Sequence, residues 1–523
     1  MPERPTILLA TLNASFPHAA FGLRYLLANM EELTERTAIA EFTINQRPLD
    51  IAEAILAREP AIVGLGVYIW NAAPSLELVS LLKRLRPDLI IVLGGPEVSY
   101  ETEAQEIVRL ADYVITGEAD LAFRDLCREL VAGHRPEKKI IAAPLPQCDA
   151  LALPYHLYTD ADIAHRVVYV EASRGCPFTC EFCLSSLDIP VRAVPLDRLL
   201  PALESLLQRG LRQFKFVDRT FNLNLNTSRT LLQFFLDRMQ PGLFLHFEMI
   251  PDRLPEGLRE IIAQFPPGAL QFEVGIQTFD ALASQNISRR NNHAKTEDNF
   301  RYLRAHTGVH IHADLIVGLP GEDLETFGRG FDRLLAMRPQ EIQVGILKRL
   351  RGTPIVRHDT EWGMVYAAHP PYEVLRTKLI PFAEMQAMRR FAKYWDLIGN
   401  SGNFPDTLDL ILRDEPSAFQ ALRRIADFLW QCTGMVDGIA LLKLTELLFR
   451  WLTNEKHLPP NEVAPVLWAD YTRPGRHGDK PPRWLASFLA AAAPSDTCGK
   501  RTGEAAPLPR RQARHTRPSI PAD

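Results

Sequence analysis

Short apolar segments alternate with amphipathic segments along the first part of the chain, and this alternation restricts the fold more than any other feature. Strand-like runs at residues 6–12, 61–70 and 89–97 are separated by segments with helical spacing, such as 21–33. Strands that are each followed by a helix build a parallel sheet with helices on both faces. The sequence therefore predicts a doubly wound, Rossmann-like sheet over residues 1–135, with ligands at the carboxyl ends of its strands.

A second series of strands and helices begins after residues 136–163, which are rich in proline and small residues and which we interpret as a linker. Six strand-like runs occur at 166–172, 213–218, 243–249, 270–276, 309–319 and 341–347. Six consecutive β/α units predict a partial, TIM-like (β/α)6 barrel over residues 164–360. The chemistry of such barrels is located at the carboxyl ends of the strands.

The C-terminal part of the chain has a different pattern. Apolar residues recur at helical spacing over residues 361–493, which predicts a mainly helical domain. The last segment, 494–523, is rich in proline and basic residues, and we expect it to be a disordered basic tail. The predicted fold class is thus α/β with a helical C-terminal extension.

Composition argues against several classes of protein. The chain has 523 residues and a net charge of −4, so its bulk charge gives no argument for nucleic acid or an anionic membrane as a partner. The longest apolar run, 61–70, has about half the length of a membrane span. The N-terminal residues lack the pattern of a secretion signal. Seven cysteines, three of them clustered, fit metal binding in a reducing cytoplasm better than a disulfide framework.

The clustered cysteines lie in the segment RGCPFTCEFC, residues 174–183, directly after the first strand of the predicted barrel. Cys176, Cys180 and Cys183 offer three thiolates, which suit iron–sulfur clusters and zinc. The other cysteines stand alone, so no second arm completes a closed zinc site, although structural zinc and core cysteines remain alternatives. Most four-iron clusters take four cysteines, and three would leave one iron free for an exchangeable ligand.

This segment resembles the signature of the radical S-adenosylmethionine superfamily, Cys-x-x-x-Cys-x-aromatic-Cys, with Phe182 as the aromatic residue. The resemblance implies that the three cysteines hold three irons of a [4Fe–4S] cluster and that S-adenosylmethionine chelates the fourth. Phe182 would then lie against the adenine. Reductive cleavage of S-adenosylmethionine would release a 5′-deoxyadenosyl radical, which abstracts a hydrogen atom from the substrate. The protein would supply geometry and a dry cavity for this chemistry.

Further segments at the predicted strand ends resemble the same superfamily. Asp218 ends the second barrel strand, in FKFVDRTFN, and the resemblance makes it a candidate contact to S-adenosylmethionine. Glu273 and Gln277, in the fourth strand, are candidate contacts to the ribose or methionine part of S-adenosylmethionine. Arg289 matches a basic position after that strand, and Gly318 begins the turn GLPGE, which the resemblance places near the adenine.

The sheet and barrel together resemble the cobalamin-binding radical S-adenosylmethionine proteins, in particular a branch with a C-terminal domain of unknown function. The segments LNASFPHAAFGLRYL, VYIWN, KFVDRTFN and PRRQARH carry this resemblance. The turns LGGPEVS and TGEAD look like those that cradle the corrin, whereas GLGVYI lacks the third glycine of a dinucleotide-binding turn. The residues that the resemblance assigns to cobalamin are Asn13, His18, Tyr68, Gly94, Gly95, Pro96, Glu97, Gly117 and Glu118.

The loop after the first strand departs from the family's cobalt-ligating motif, Asp-x-His-x-x-Gly. His18 lies in the matching loop, but Phe16 replaces the aspartate and the glycine follows one residue too late. A lone loop histidine is more often structural than a ligand. We therefore expect cobalamin to bind without a protein imidazole ligand.

The resemblance implies a cytoplasmic enzyme that uses a [4Fe–4S] cluster, S-adenosylmethionine and cobalamin, and that methylates an unactivated carbon. A radical rearrangement or redox reaction without methyl transfer is one alternative, and a non-catalytic cobalamin or cluster carrier is another. The expected partners are a reductant protein, such as a flavodoxin or ferredoxin, and a substrate for which the sequence carries no recognisable motif. The sequence assigns no catalytic residue.

Overall fold

The first part of the chain forms a fully parallel six-stranded sheet. The computed structural model describes residues 6–187, 190–473, 480–489 and 512. The strands are β1 (Ile7–Asn13), β2 (Thr37–Thr43), β3 (Ile62–Gly66), β4 (Ile90–Gly94), β5 (Tyr113–Thr116) and β6 (Ile140–Ala142). Their order is β2-β1-β3-β4-β5-β6. The order reverses between β1 and β3, and ligands of such sheets bind outside the carboxyl ends of the strands at this point.

Helices cover both faces of the first sheet, as the alternation predicts. They are α1 (Phe21–Ala28), α2 (Pro48–Leu56), α3 (Ala72–Leu85), α4 (Pro96–Ser99), α5 (Glu106–Leu110) and α6 (Asp120–Val131). One apolar core contains Ile51, Leu78 and Ile107, from α2, α3 and α5. The other contains Leu23 and Phe123, from α1 and α6. Two cores on opposite faces bury strands that are apolar on both sides.

Residues 136–163, interpreted above as a linker, are integrated into both neighbouring units. β6 pairs with β5 and extends the first sheet by one strand. Tyr155 and Tyr158 are buried in the core of the following unit. A short helix, α7 (Asp160–His165), begins with a reciprocal cap between Thr159 and Asp162. The linker interpretation therefore needs correction, because this segment contributes a strand and core residues to the fold.

The second unit is a curved parallel sheet of six strands in sequential order, β7-β10-β11-β12-β13-β14. Its strands, with a small ribbon formed by β8 and β9, are β7 (Val168–Val170), β8 (Ser173–Arg174), β9 (Arg192–Ala193), β10 (Gln213–Phe216), β11 (Phe244–Met249), β12 (Leu270–Gln277), β13 (His310–Val317) and β14 (Glu341–Ile346). The helices are α8 (Leu196–Gln208), α9 (Leu225–Leu236), α10 (Glu256–Ile262), α11 (Ala281–Asn286), α12 (His293–His306) and α13 (Leu324–Ala336). All six strands coincide with the predicted ones, which confirms the partial barrel.

Strict alternation along β12 explains how the barrel obtains a polar interior. Leu270, Phe272 and Val274 are buried in the apolar core, and the intervening Gln271 and Glu273 are only partly buried. Successive side chains of a strand point to opposite faces, so the polar set faces away from the layer of helices.

The C-terminal part is mainly helical and shares its core with the barrel. Its elements are a ribbon of β15 (Val365–Tyr366) and β16 (Val374–Arg376), followed by α14 (Phe382–Trp395), α15 (Pro405–Leu412), α16 (Ala418–Thr433), α17 (Leu441–Arg450), α18 (Pro460–Thr472) and α19 (Arg483–Leu489). Phe391 lies 5.4 Å from Phe331 of α13 and 5.1 Å from Phe419, between ring centroids. The Trp395 Nε1–H donates to the Ile342 carbonyl oxygen at 2.7 Å. These contacts anchor the helices to the outer edge of the barrel.

The predicted tail, 494–523, lies outside the described residues apart from Gln512. Within the described residues, no helix combines the length and apolar character that crossing a membrane requires.

Candidate functional site

The cysteine loop follows β7 and is fixed at its start by a buried carboxylate. Asp218 accepts hydrogen bonds from the Ala172 N–H at 2.9 Å and from the Ser173 hydroxyl at 2.6 Å. Burial raises the pKa of Asp218 to about 7. Asp218 does not line the cavity that contains the cysteines. The structure therefore gives Asp218 a role in orienting the loop, in place of the expected direct contact with S-adenosylmethionine.

The middle of the loop is fixed by Glu181, which lies between the second and third cysteines. Its carboxylate accepts from the Ser288 hydroxyl at 2.7 Å and contacts His358 Nε2 at 3.0 Å. Its own N–H donates to the Ile287 carbonyl oxygen, and its carbonyl oxygen accepts from the Ile355 N–H. Because these bonds satisfy a buried charge from several sides, Glu181 holds the loop against the end of the barrel.

The three cysteines open into one cavity of 260 Å³ at the carboxyl ends of the barrel strands. Cys176 and Cys180 are buried, and Cys183 is half-buried. Burial raises the pKa of Cys176, and the neighbouring thiols Cys183 and Cys180 raise it further. Among the described residues, no three His, Cys, Asp or Glu side chains are arranged to hold one metal ion. Each cysteine of a [4Fe–4S] cluster binds a different iron, and three thiols on the wall of one cavity match that requirement.

Four of the residues predicted to contact S-adenosylmethionine line the same cavity, namely Phe182, Glu273, Gln277 and Arg289. The His246 Nε2–H donates to Glu273 at 3.0 Å and lowers the pKa of Glu273 to about 2. The Gln277 Oε1 atom is buried and has no hydrogen-bond partner in the described part of the chain. A buried unsatisfied amide oxygen is costly. This orphaned acceptor fits a cofactor that brings its own hydrogen-bond donors.

Arg289 lies closer to the cysteines than expected. Its Nη1–H donates to Cys180 Sγ at 3.4 Å, and its Nη2–H donates to the Gly275 carbonyl oxygen. The contact places a permanent positive charge beside one candidate iron ligand.

Gly318, by contrast, lies outside this cavity. Its φ is +89°, and a methyl group there would stand 2.7 Å from Val374 Cγ1 and 3.1 Å from Met385 Cε. The glycine therefore allows β16 and α14 to approach the barrel closely, and the expected proximity to adenine is not supported by this geometry.

A second cavity, of 380 Å³, lies between the first sheet and the cysteine loop. Of the residues assigned to cobalamin, Tyr68, Gly94, Gly95, Gly117 and Glu118 line it. On the barrel side its walls include Ser173, Arg174 and Gly175. Glycines at the carboxyl ends of three adjacent strands leave the backbone open to a flat ligand. The cavity therefore fits a large ring seated on the strand ends.

The other four residues assigned to cobalamin, Asn13, His18, Pro96 and Glu97, do not line this cavity. His18 Nδ1 is hydrogen-bonded to the Tyr169 hydroxyl at 2.5 Å, and burial lowers the pKa of His18. Glu97 accepts from the Tyr372 hydroxyl at 2.5 Å.

Asn13, Pro96 and Glu97 belong to strand ends and helix starts of the first sheet, whereas the contacts of His18 and Glu97 lead to the barrel. Arg351 Nε, in the loop after β14, also donates to Glu97 at 2.8 Å. His18 and Glu97 therefore join the first sheet to the barrel and do not face the space where a corrin would fit.

Arg174, two residues before Cys176, forms a charged contact between the two units that the sequence did not single out. Its guanidinium donates to Glu118 at 2.8 Å, in the turn after β5, and to Asp120 at 2.9 Å, the first residue of α6. It also donates to Glu171 at 2.8 Å and stacks over Tyr25, with 4.4 Å between guanidinium carbon and ring centroid. The only feature of the sequence that pointed to this contact is the turn TGEAD, which contains Glu118 and Asp120.

Asn71 is a second residue without a predicted role. Its amide donates to the Leu12 and Gly66 carbonyl oxygens at 3.0 and 3.1 Å, and its oxygen accepts from the Tyr68 N–H at 2.7 Å. These bonds fix the turn that carries Tyr68 at the point where the strand order reverses.

Three families match successive parts of the chain. The B12 binding domain matches residues 7–127, the radical SAM superfamily matches 170–334, and a protein family of unknown function, DUF4080, matches 360–496. These three matches follow the order of the sheet, the barrel and the helical part.

Several proteins similar to this chain carry the name methyltransferase. An uncharacterized methyltransferase of Pyrococcus horikoshii is 28% identical over 229 residues, which cover 39% of this chain and 49% of the relative. The cobalamin-dependent radical SAM methyltransferase TokK of Streptomyces tokunonensis is 24% identical over 342 residues, 58% of this chain and 49% of the relative. The chain thus spans about half the length of the curated relatives it matches.

A solved structure shares the fold. The radical S-adenosylmethionine methyltransferase TsrM from Kitasatospora setae, solved with cobalamin and a [4Fe–4S] cluster bound, matches with a TM-score of 0.55 and 18% identity. The match covers 69% of this chain and 76% of that one. A B12-binding domain implies cobalamin, and a radical SAM domain implies a [4Fe–4S] cluster and S-adenosylmethionine. The chain thus combines a B12 binding domain, a radical SAM domain and a C-terminal domain of unknown function.

Proposed function

We propose that the protein is a cobalamin-dependent radical S-adenosylmethionine methyltransferase that acts on an unactivated carbon. The observation that carries the proposal is the meeting of two cavities. The cavity at the strand ends of the first sheet and the cavity around the three cysteines share Arg219 as a wall. A reaction that uses both cofactors on one substrate needs such a junction.

When bound, the cluster with S-adenosylmethionine supplies a 5′-deoxyadenosyl radical, and cobalamin supplies the methyl group. The chain's own residues orient the cysteine loop and shape the cavity above it. Asp218 holds the start of the cysteine loop and Glu181 holds its middle, so the thiolates are presented on a rigid turn. Phe182 and Gln277 line the space above the cysteines and help to shape it for a nucleoside. Rigid placement of reactants is the main contribution that a protein makes to cofactor chemistry.

The site for cobalamin has no imidazole among the described residues that line it. His18, the candidate suggested by position, is hydrogen-bonded to Tyr169. We therefore propose that cobalt receives no ligand from a protein histidine. The corresponding measurement is the spectrum of bound cob(II)alamin, in which an imidazole nitrogen gives a characteristic splitting.

The experiment that tests the function is anaerobic purification with cobalamin supplied, followed by measurement of iron, sulfide and corrin absorption. The products formed from S-adenosylmethionine under strong reductant are then quantified. A methyltransferase yields both 5′-deoxyadenosine and S-adenosylhomocysteine when substrate is present. Formation of 5′-deoxyadenosine and product without S-adenosylhomocysteine would instead indicate a rearrangement or redox reaction. No cleavage of S-adenosylmethionine at all would indicate a carrier.

The proposal also includes the source of electrons for the cluster and the cellular location of the protein. Radical S-adenosylmethionine enzymes need an external reductant, and we propose a flavodoxin or ferredoxin in the cytoplasm for this role. The comparison of flavodoxin, ferredoxin and dithionite as reductants in the cleavage assay tests it.

A further inference from the structure

Arg219 lies at the boundary of the two cavities. It follows Asp218 at the end of β10. Within the described residues, it is the one side chain that lines both the 260 Å³ and the 380 Å³ cavity. A substrate that meets both cofactors has to occupy this boundary, so Arg219 contacts whatever group the substrate places there.

The hydrogen bonds of Arg219 leave part of its guanidinium free. In the described part of the chain, both bonds start from Nη1 and reach the two carboxylate oxygens of Glu248, at 2.9 and 3.3 Å. The Arg219 side chain is 52% exposed, whereas that of Glu248 is 24% exposed. Glu248 therefore fixes the guanidinium from one side, while the donors on Nε and Nη2 stay available.

The charge and geometry of Arg219 and Glu248 indicate which kind of substrate group can bind beside them. A guanidinium is always charged and presents its donors as a planar fork, which matches the oxygens of a carboxylate or phosphate. Glu248 engages Nη1 alone, so the Nε and Nη2 donors of the guanidinium are left to recognise an anionic group at the boundary. A cationic substrate group would meet the positive member of the pair first.

We propose that the substrate carries an anionic oxygen group, a carboxylate or a phosphate, and that Arg219 binds this group at the boundary between the cavities. The inference rests on the proposed function, because it assumes one substrate that meets both cofactors. It adds the class of substrate and the residue that recognises it.

The test uses the holoprotein with cluster and cobalamin loaded, and small anions as probes. Inorganic phosphate and succinate are titrated while the corrin absorption and the electron paramagnetic resonance of the reduced cluster are recorded, with tetramethylammonium chloride as the cationic control. We expect a saturable effect of phosphate or succinate in the wild type. In Arg219→Gln the half-saturating concentration should rise at least about tenfold, since a charge-assisted hydrogen bond is lost.

Two further variants keep the experiment decisive. Arg219→Lys keeps the charge but loses the fork, so it should weaken anion binding less than the glutamine variant, and it serves if the glutamine variant does not fold. Arg229→Gln changes an exposed arginine of α9 that lines neither cavity, and it should bind anions as the wild type does. The anion that saturates at the lower concentration distinguishes phosphate from carboxylate chemistry.

Equilibrium dialysis of S-adenosylmethionine and cobalamin accompanies each titration. Arg219→Gln should bind both cofactors as the wild type does, and loss of either would assign Arg219 to that cofactor and overturn the proposal. Equal half-saturating concentrations in wild type and Arg219→Gln, or no saturable effect in the wild type, would also overturn it. A wild type that binds the anion through Arg219 but never cleaves S-adenosylmethionine would refute the proposed function and leave the anion site standing.

Discussion

Replacement of Arg174 by methionine tests whether charged contacts hold the first sheet against the cysteine loop. The guanidinium contacts Glu118, Asp120 and Glu171 within 2.8–2.9 Å, and its side chain is only 12% exposed. Methionine has a similar length and apolar character, so the change removes the charge without opening a large cavity. Three carboxylates then remain around an apolar side chain.

The expected loss follows from the burial of these charges. Removal of one partner of a buried ion pair costs about 3–5 kcal/mol, because the other partner stays buried and unpaired. Glu118 keeps a hydrogen bond from Arg192 Nη1 at 3.1 Å, so part of the acidic group remains neutralised. We therefore expect a loss near the lower end, about 3 kcal/mol. Burial raises the pKa of Glu171, and Arg174 counteracts this, so the loss should grow as the pH rises.

The assay is urea unfolding of wild type and Arg174→Met at about pH 5.5 and about pH 7.5, both within the range in which folded proteins are usually most stable. Arg47→Met is the matched control, because Arg47 forms an exposed ion pair with Asp50, with 78% and 48% of the side chains exposed. The control should change the free energy of unfolding by at most about 0.5 kcal/mol. If Arg174→Met loses no more than this control, the buried network does not stabilise the junction and the reasoning fails. Cobalamin affinity should fall in Arg174→Met, since Glu118 lines the second cavity.

Three further changes test single contacts. Arg289→Met removes the N–H···S bond to Cys180, so the reduction potential of the cluster should fall by roughly 60 mV in a redox titration, and an unchanged potential would contradict the contact. Burial raises the pKa of Asp218 to about 7, so its contribution to stability is lost as the pH rises from about 4 to 7. The unfolding midpoint of Asp218→Asn should therefore vary less over this range than that of the wild type, and equal slopes would refute the pKa shift. Gly95→Ala places a methyl group 2.5 Å from the Val67 carbonyl oxygen at φ +104° and should cost about 1–3 kcal/mol with weaker corrin binding, whereas wild-type unfolding would show that the turn relaxes.

The strands of both sheets were predictable because their signals are local. An apolar run bounded by turn residues determines a strand within a few positions, as for β1, β3, β4 and the six barrel strands. β6 was missed because Ile140–Ala142 is only three residues long and lies among prolines. Its extended backbone depends on pairing with β5, which no local pattern reports. The same holds for Tyr155, whose burial depends on the barrel core.

The same contrast between local and tertiary signals applies to the candidate site. The cysteines form one short motif, so their prediction as cluster ligands rests on local sequence, and the structure brings all three to one cavity. Asp218 and Gly318 follow strands, but position along a strand does not determine the neighbours of a residue. In the structure Asp218 accepts hydrogen bonds from the cysteine loop, and Gly318 allows close packing of Val374 and Met385. Arg174 and Arg219 were not singled out, because a lone arginine in a loop has no distinctive pattern. Their importance comes from the carboxylates and cavities that the tertiary fold places beside them.

Three of the residues assigned to cobalamin contact the second unit. His18 follows β1, Glu97 follows β4 and Glu118 follows β5, and each contacts the barrel or the loop that leads to its cysteines. Contacts from three different strand ends restrain rotation about every axis, whereas one contact would act as a hinge. Two cofactors that act on one substrate need a fixed separation, since small misplacement is costly to rate. His18 and Glu97 therefore help to fix the first sheet against the barrel, and with it the distance between the two cavities.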